Sequence, residues 1–421
     1  MKKYLLTIFL IISANLFAQN NLDFYISKAI TNNVSLVELQ NQIKINKLQN
    51  DLDYAQNSGF QISLTSNYLF APFFNNSGGL FSTNPDANAI GYDVGITNGG
   101  LYSAQINIDK NIFNGAVIDA LDNQQKIQNE FIKNNIELTK RELTKQVIDL
   151  YLQTFLSFNL YEMTKEVAVN LNEQLKIIAE LSKNGIVKQS EYLLLSLENQ
   201  NQKITADEFY SQYKTNLLQL NSLCGISDTN IVILDSVFLK IKNSTQQSEL
   251  FKRFELDSLA LENKQELFET KYQPQISLFF NTGLNAVELN NIQRKFGLSA
   301  GVNFSLPIFD GNQSSITKQQ NEIAIESIKN FRDNFKKTLY NQQISSQARL
   351  ENISNNIKNL AKQLESYKTI IDISENELRQ GQLSMIEYLT LLKNDIELRK
   401  NKITNEINYQ LEINNYNYWN Y

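Results

Sequence analysis

Two carboxylates, Glu191 and Glu387, recur at one fixed place in a repeated pattern. Each follows a glycine and five free positions, and each is followed by Tyr-Leu: Gly185-Ile-Val-Lys-Gln-Ser-Glu191-Tyr192-Leu193 and Gly381-Gln-Leu-Ser-Met-Ile-Glu387-Tyr388-Leu389. Little in the chain could make such acids catalytic. It holds no histidine, which removes His-based acid–base catalysis, Ser-His and Cys-His nucleophile pairs and most transition-metal sites. The single cysteine, Cys224, cannot form an intramolecular disulfide, and among Leu220, Leu223 and Ile226 it reads as a small buried apolar residue. Glycine is scarce outside residues 59–115 and 283–311, so no phosphate-cradling loop is present. Taken by itself, each acid reads as a capping or solvated helix residue. No enzyme activity, cofactor or metal is expected. A net charge of −5 over 421 residues gives no polyelectrolyte signal, so no nucleic acid is expected as a partner.

The elements that place these acids are long. The two glycines stand 196 residues apart (381 − 185), and Phe113-Asn114-Gly115 and Phe309-Asp310-Gly311 repeat at the same offset. From Gly115 to Gly185, and from Gly311 to Gly381, no proline or further glycine intervenes. Each stretch predicts a helix about 105 Å long at about 1.5 Å per residue. Gly185 and Gly381 are the natural places for the chain to turn back, and Gly115 and Gly311 mark the turns from strand into helix. Heptad spacing appears toward the tips, in Ala168, Leu171, Leu175 and Ile178. It is cleaner in Ile353, Ile357, Leu360, Leu364, Tyr367, Ile371 and Leu378, with Ser374 in the one polar slot. This predicts a left-handed coiled-coil seam.

Ahead of each long helix the period changes to two. Ile62, Leu64, Tyr68 and Phe70 alternate with Ser63, Thr65, Asn67 and Leu69; Tyr102, Ala104, Ile106 and Ile108 alternate with Ser103, Gln105, Asn107 and Asp109. The second half repeats this. Ile276, Leu278 and Phe280 alternate with Ser277, Phe279 and Asn281; Phe296, Leu298, Ala300, Val302, Phe304 and Leu306 alternate with Gly297, Ser299, Gly301, Asn303 and Ser305. A hairpin packed on helices would also alternate. Two such hairpins with one wholly apolar face match transmembrane barrel strands, lipid outside and water inside. Open edges cannot face lipid, and four strands are too few to close a barrel, so closure needs several copies; three would supply twelve strands.

The expected organisation follows. Residues 1–18 read as a secretory signal peptide, with Met1-Lys2-Lys3 ahead of an apolar run too short to span a bilayer. No cysteine follows the cut, so the mature end is not lipidated. The first repeat covers 19–225, with a helix at 21–57 interrupted at Asn32-Asn33, strands at about 60–72 and 100–112, and a helical hairpin at 115–224. A turn-rich loop, 73–98, joins the first two strands. Residues 226–246 match neither repeat and read as short strands or a packed linker. The second repeat covers 247–421, with strands at about 275–285 and 295–307 and a helical hairpin at 311–421. The fold class is mainly α with a transmembrane β-barrel portion. The C-terminal Tyr416, Tyr418, Trp419 and Tyr421 end a return helix and are expected to pack rather than form a membrane-interface belt.

The duplicated order, the Phe-x-Gly step from strand to helix and the Pro274-Gln275-Ile276-Ser277-Leu278 strand entry resemble the TolC-like outer membrane factors over everything after the signal peptide. Those are trimeric exit ducts of Gram-negative efflux pumps and type I secretion systems. The resemblance implies an outer-membrane location with a large periplasmic portion and four strands per chain in a shared twelve-stranded barrel. It implies as partners a homotrimer, a periplasmic adaptor, an inner-membrane pump and outer-membrane lipid. Gly185 and Gly381 would be the tips where the adaptor docks, and Glu191 and Glu387 would line the constriction. Leu383 and Thr390 stand where the family often has an arginine or a further acid, so no salt-bridge gate carries over; a ring of Glu387 carboxylates does. A coiled-coil scaffold without a channel is the other reading of the same elements. The residues name no cargo.

Overall fold

The computed structural model describes residues 21–74, 86–93, 96, 100–242 and 249–420; the expected signal peptide and most of the loop 73–98 lie outside them. The elements in order are α1 (Leu22–Asn32), α2 (Val34–Ser58), β1 (Gln61–Phe70), β2 (Gly100–Asn111), α3 (Gly115–Lys183) and α4 (Gln189–Leu223). Then follow α5 (Glu249–Glu269), β3 (Gln275–Ala286), β4 (Phe296–Ser305), α6 (Gln313–Arg379) and α7 (Met385–Trp419). The helices α3 and α6 run 69 and 67 residues without a break. The chain divides into two compact units: the described residues of Met1–Leu39, Asn134–Phe251 and Phe331–Tyr421, and those of Gln40–Lys133 and Lys252–Asn330.

The second unit holds the sheet. Its four strands run antiparallel in the order β1-β2-β3-β4, so neighbours in sequence are neighbours in space and β1 and β4 are open edges. Around it the helices meet through amides. The buried Asn46 side chain donates to the Gln125 carbonyl (3.1 Å), and the buried Asn263 side chain donates to the Ala120 carbonyl (2.9 Å). A buried amide left unpaired would be costly, so each such bond fixes one helix against another at a set height.

The first unit holds α1, the later parts of α3 and α6 and the return helices α4 and α7. Asn33 separates α1 from α2 because its backbone is extended (ψ 115°) and its side chain caps the new helix, accepting from the Leu36 amide at 3.0 Å. Asn32 beside it donates to the carbonyls of Cys224 (2.9 Å) and Gly225 (3.3 Å) at the end of α4. Gly225 has φ 63°, and a β-carbon there would stand 2.8 Å from Asn32 Cβ, so only glycine fits this turn. Cys224 is fully buried, and burial pushes its thiol up to about 12.

The inter-repeat segment 226–242 forms no strand. Its β-branched run finds no strand partner, and helix side chains satisfy its backbone instead. Tyr151 donates to the Asp235 carbonyl at 2.8 Å, Tyr213 to the Val232 carbonyl, and Leu239 N–H to Gln410 Oε1 at 2.6 Å. Asn417 clamps it twice, accepting from Lys242 N–H (2.8 Å) and donating to the Lys240 carbonyl (2.9 Å). The segment is a packed linker. Near the same end, Tyr416 is buried and Tyr418 lies under the Arg141 guanidinium, 5.2 Å from its ring centroid, so these two aromatics pack against helices; Tyr421 lies outside the described residues.

Candidate functional site

Both helical tips close in the same way. After α3, Gly185 has φ 74°, its N–H donates to the Ser182 carbonyl (3.0 Å), and Ile186 N–H donates to the Leu181 carbonyl (2.9 Å). After α6, Gly381 has φ 70°, its N–H reaches the Leu378 carbonyl (3.1 Å), and Gln382 N–H reaches the Glu377 carbonyl (2.9 Å). This pairing is the Schellman motif, which satisfies the last carbonyls of a helix and needs a left-handed residue just past it. A β-carbon on either glycine would meet nothing within 4 Å, so the requirement is conformational, and the tips stand bare.

The two acids, equivalent in sequence, are held differently. Ser384 caps α7: its hydroxyl accepts from Glu387 N–H (3.2 Å), while Glu387 Oε2 accepts from Ser384 N–H (3.0 Å) and from its hydroxyl (2.8 Å). That reciprocal pair is a capping box. The Ser384 hydroxyl, then its backbone N–H, hold the exposed Glu387 carboxyl below its ordinary value of 4.5. In the first repeat Lys188 stands at the cap and makes no side-chain cap bond. Glu191 there is half-buried in the first turn of α4, and only its N–H is tied back, to the Lys188 carbonyl at 3.0 Å. Glu387 is thus both a cap and a fixed negative charge within two turns of Gly381.

Below the tips the seam is real but uneven. Val167, Leu171, Ile178, Leu195, Met385, Tyr388 and Leu389 form one buried cluster, with Leu175 and Leu378 packed against it. Along α6 the heptad residues from Ile353 to Ile371 are only half-buried, and the one buried member of the pattern is the polar Ser374. A seam half-covered within one chain leaves a face for other helices. Sequence reasoning missed the polar groups beneath it. Tyr388 is 1% exposed, and its hydroxyl lies 2.8 Å from Gln174 Nε2 and 3.3 Å from Glu375 Oε1, which also accepts from Gln174 at 2.7 Å. Buried Glu198 pairs with Lys393 (3.2 Å), and buried Asp395 with Arg399 (2.7 Å). Asn199 and Asp395 sit at matching positions of the two repeats, 196 apart, and both are buried, which is a signal the offset could have raised.

The sheet presents two faces of opposite character. Its register aligns Leu64 with Ile106, Ile106 with Thr282, and Thr282 with Leu298; the neighbouring rows are Ile62–Ile108–Phe280–Ala300 and Ser66–Ala104–Leu284–Phe296, with Tyr68–Tyr102–Ala286 beyond the latter. On the reverse, Thr65–Gln105–Gly283–Gly297 and Ser63–Asn107–Asn281–Ser299 align. One largely apolar face, interrupted by Ser66, Thr282 and Lys110, therefore runs across all four strands, and a small, polar face lies behind it. The apolar side chains of the edge strands are open: Leu64 is 76% exposed and Leu298 74%. Phe279 breaks the polar face, its ring lying over Gly301 directly opposite, where a β-carbon would come within 2.5 Å.

Known structures share this arrangement of elements. The chain aligns with CusC, a protein described by its folding and transmembrane channel formation, at a TM-score of 0.71 and 12% identity, covering 94% of this chain and 90% of that one. It aligns with the outer membrane protein VceC of Vibrio cholerae at 0.70 and 10% identity, covering 95% and 96%. The Campylobacter jejuni CmeC outer membrane channel gives 0.70 at 14% identity, covering 94% and 85%. The chain has the TolC-like outer membrane channel fold. No family model and no curated protein matches it.

Within the TolC-like fold, the strand-to-helix junctions differ between the repeats. Gly311 has φ 70° and Asn312 φ 68°, and the Asp310 carboxylate gathers the turn, accepting from Asn312 N–H and Ser314 N–H (2.8 Å each) and from the Tyr272 hydroxyl. The Tyr272 hydroxyl, ahead of those two amides, holds the Asp310 carboxyl below the usual range. Gly115, by contrast, is the first residue of α3 and needs no left-handed backbone. There the Asn114 carbonyl accepts from Ile118 N–H (3.1 Å), and its side-chain amide donates to the Asn57 carbonyl. Matching motifs therefore make two different turns.

Proposed function

We propose that the chain is the outer-membrane exit duct of a Gram-negative efflux pump or type I secretion system. Three copies would close a twelve-stranded barrel, with the helical portion in the periplasm, and the duct would carry out no reaction of its own. The observation that carries this reading is the largely apolar face across β1–β4, open on strands 10 to 12 residues long. That length and alternation fit a membrane strand, and long open edges on β1 and β4 are intolerable in lipid unless another copy pairs with them. A coiled-coil scaffold would have no use for such a face. In the duct, Ser63, Thr65, Asn107, Asn281 and Ser299 line water, an inner-membrane pump supplies the energy and an adaptor bridges to it.

Gly185 and Gly381 are the adaptor-docking tips in this reading, since bare left-handed turns let another helical hairpin approach closely. Glu387 and Glu191 line the periplasmic mouth in this reading, where three fixed Glu387 carboxylates would favour cations. Planar-bilayer recording on the purified chain tests the channel directly. Stable, ohmic, cation-selective steps support the duct, and a protein that leaves the bilayer silent overturns it.

A further inference from the structure

The apolar face of the sheet carries one charge. Lys110, the next-to-last residue of β2, points the same way as Ile108, Ile106 and Tyr102. Its ammonium stands 4.3 Å from the centroid of the Phe60 ring, just ahead of β1. Across the sheet its row continues through Leu278 and Val302, so the row offers it no carboxylate. The adjacent row is Ile108, Phe280 and Ala300, and the two rows floor a groove of about 490 Å³ running from Lys110 across β3 and β4. The small Ala300 keeps that floor low beside Phe280.

Depth locates the groove in the bilayer. At the other end of β2, Tyr102 meets Tyr68 edge-on at 6.5 Å, as interfacial aromatics do. Eight residues at about 3.4 Å separate Tyr102 from Lys110 along the strand, roughly 20 Å of height for a strand tilted by about 40°. That nearly spans the apolar band of about 25 Å typical of such barrels. Lys110 therefore lies at headgroup level on the side where the helices begin, since β2 leads within four residues into α3 at Gly115. Contact with the Phe60 ring limits the rotamers of a long side chain that must carry its charge to the interface.

The geometry points to a seated anionic phospholipid of the periplasmic leaflet, with its phosphate on the Lys110 ammonium and an acyl chain in the groove over Phe280 and Ala300. This rests on the barrel reading. The groove, rather than the ammonium alone, is what selects a lipid over a free anion.

Native mass spectrometry of the full chain in detergent, given equal phosphatidylglycerol and phosphatidylcholine, tests it. The unaltered chain should retain phosphatidylglycerol preferentially, by about fivefold per site, the bias one lysine contributes at an anionic lipid surface. Lys110→Gln should abolish that preference, while Lys110→Arg and Lys295→Gln, the latter a cation at the opposite end of β4, should keep it. An unchanged preference in Lys110→Gln, or an equal loss in Lys295→Gln, would overturn the site. Displacement of the lipid by inorganic phosphate would also overturn it, assigning the ammonium to a free anion. The same spectra count chains: trimers without a lipid preference fail this proposal alone, whereas monomers that bind neither lipid fail the barrel reading with it.

Discussion

Placing an arginine on the apolar face should cost in proportion to depth, and β2 supplies its own ruler. Ile106 lies four residues from both Tyr102 and Lys110, and the register puts it in the row of Leu64, Thr282 and Leu298. Four residues at about 3.4 Å and a tilt near 40° place it about 10 Å from either interface. That is too deep for a guanidinium to reach water without distorting the bilayer. Ile106→Arg should therefore cost about 2–4 kcal/mol per chain, the mid-depth value for barrel proteins, and Ile108→Arg, half as deep, about 1–2. Gln105→Arg, one residue away on the polar face, should stay within about 1 kcal/mol. Chemical unfolding of protein refolded into lipid vesicles measures all three on one scale, and heat-modifiable assembly in the membrane fraction reports the same order in cells. Equal costs at residues 105 and 106, or no gradient from 106 to 108, would refute the assignment of the faces.

Other outcomes follow from the tips and loops. Gly381→Ala should strain the left-handed turn by about 1–2 kcal/mol without a clash, and a bulky residue there should block adaptor capture while the trimer still assembles. Glu387→Gln should keep the capping box, which glutamine can also complete, yet lower cation selectivity in single-channel recordings; unchanged selectivity would make Glu387 a cap and nothing more. Because its partners hold the folded carboxyl below 4.5, the ionised form is favoured in the folded state. That contribution, and the selectivity, should persist above about pH 4.5 and disappear only as pH falls below it. Tyr388→Phe should cost about 1–3 kcal/mol by leaving Gln174 and Glu375 short of a partner, read as faster proteolysis of the tips. In the β3–β4 turn, Asn290→Cys should react with an impermeant maleimide on intact cells. Cys224 is fully buried and gives a low background, and labelling only after the outer membrane is opened would reverse the topology.

Much of this architecture was legible because its periods are long and clean. Phe296 to Leu306 alternates without an error, and a period of two admits only a strand with two unlike faces. The left-handed Gly185 and Gly381 follow from uninterrupted helices that must end somewhere. What stayed hidden depends on partners that spacing cannot show. Ile231-Val232-Ile233-Leu234 has the composition of a strand, yet Tyr213 takes up the Val232 carbonyl from a helix, and Tyr151 that of Asp235 just after the run. Gly115 and Gly311 share a motif, but Asp310 gathers two amides around a left-handed turn whereas Asn114 ties back to Asn57. Glu191 and Glu387 share one too, and a single difference, Lys188 against Ser384, decides which of them caps a helix. The pair of buried Glu198 with Lys393 joins residues whose encounter depends on how the return helices lie, which no local pattern records, whereas Asp395–Arg399 is an i,i+4 pair on one helix that the spacing could have raised.

Closure of a barrel by three copies is the claim on which the rest stands, and the two open strand edges allow it to be tested. With Cys224 replaced by serine, one cysteine in the middle of β1, Thr65→Cys, and one in the middle of β4, Ser299→Cys, would lie on the polar face of opposite edges. A flexible bis-maleimide applied to membranes should link the β1 edge of one copy to the β4 edge of the next. Closure expects linked species of one, two and three chains, the third compact from being joined in a ring, and nothing larger. A ladder that continues beyond three, or a linkage that stops at two, would contradict it.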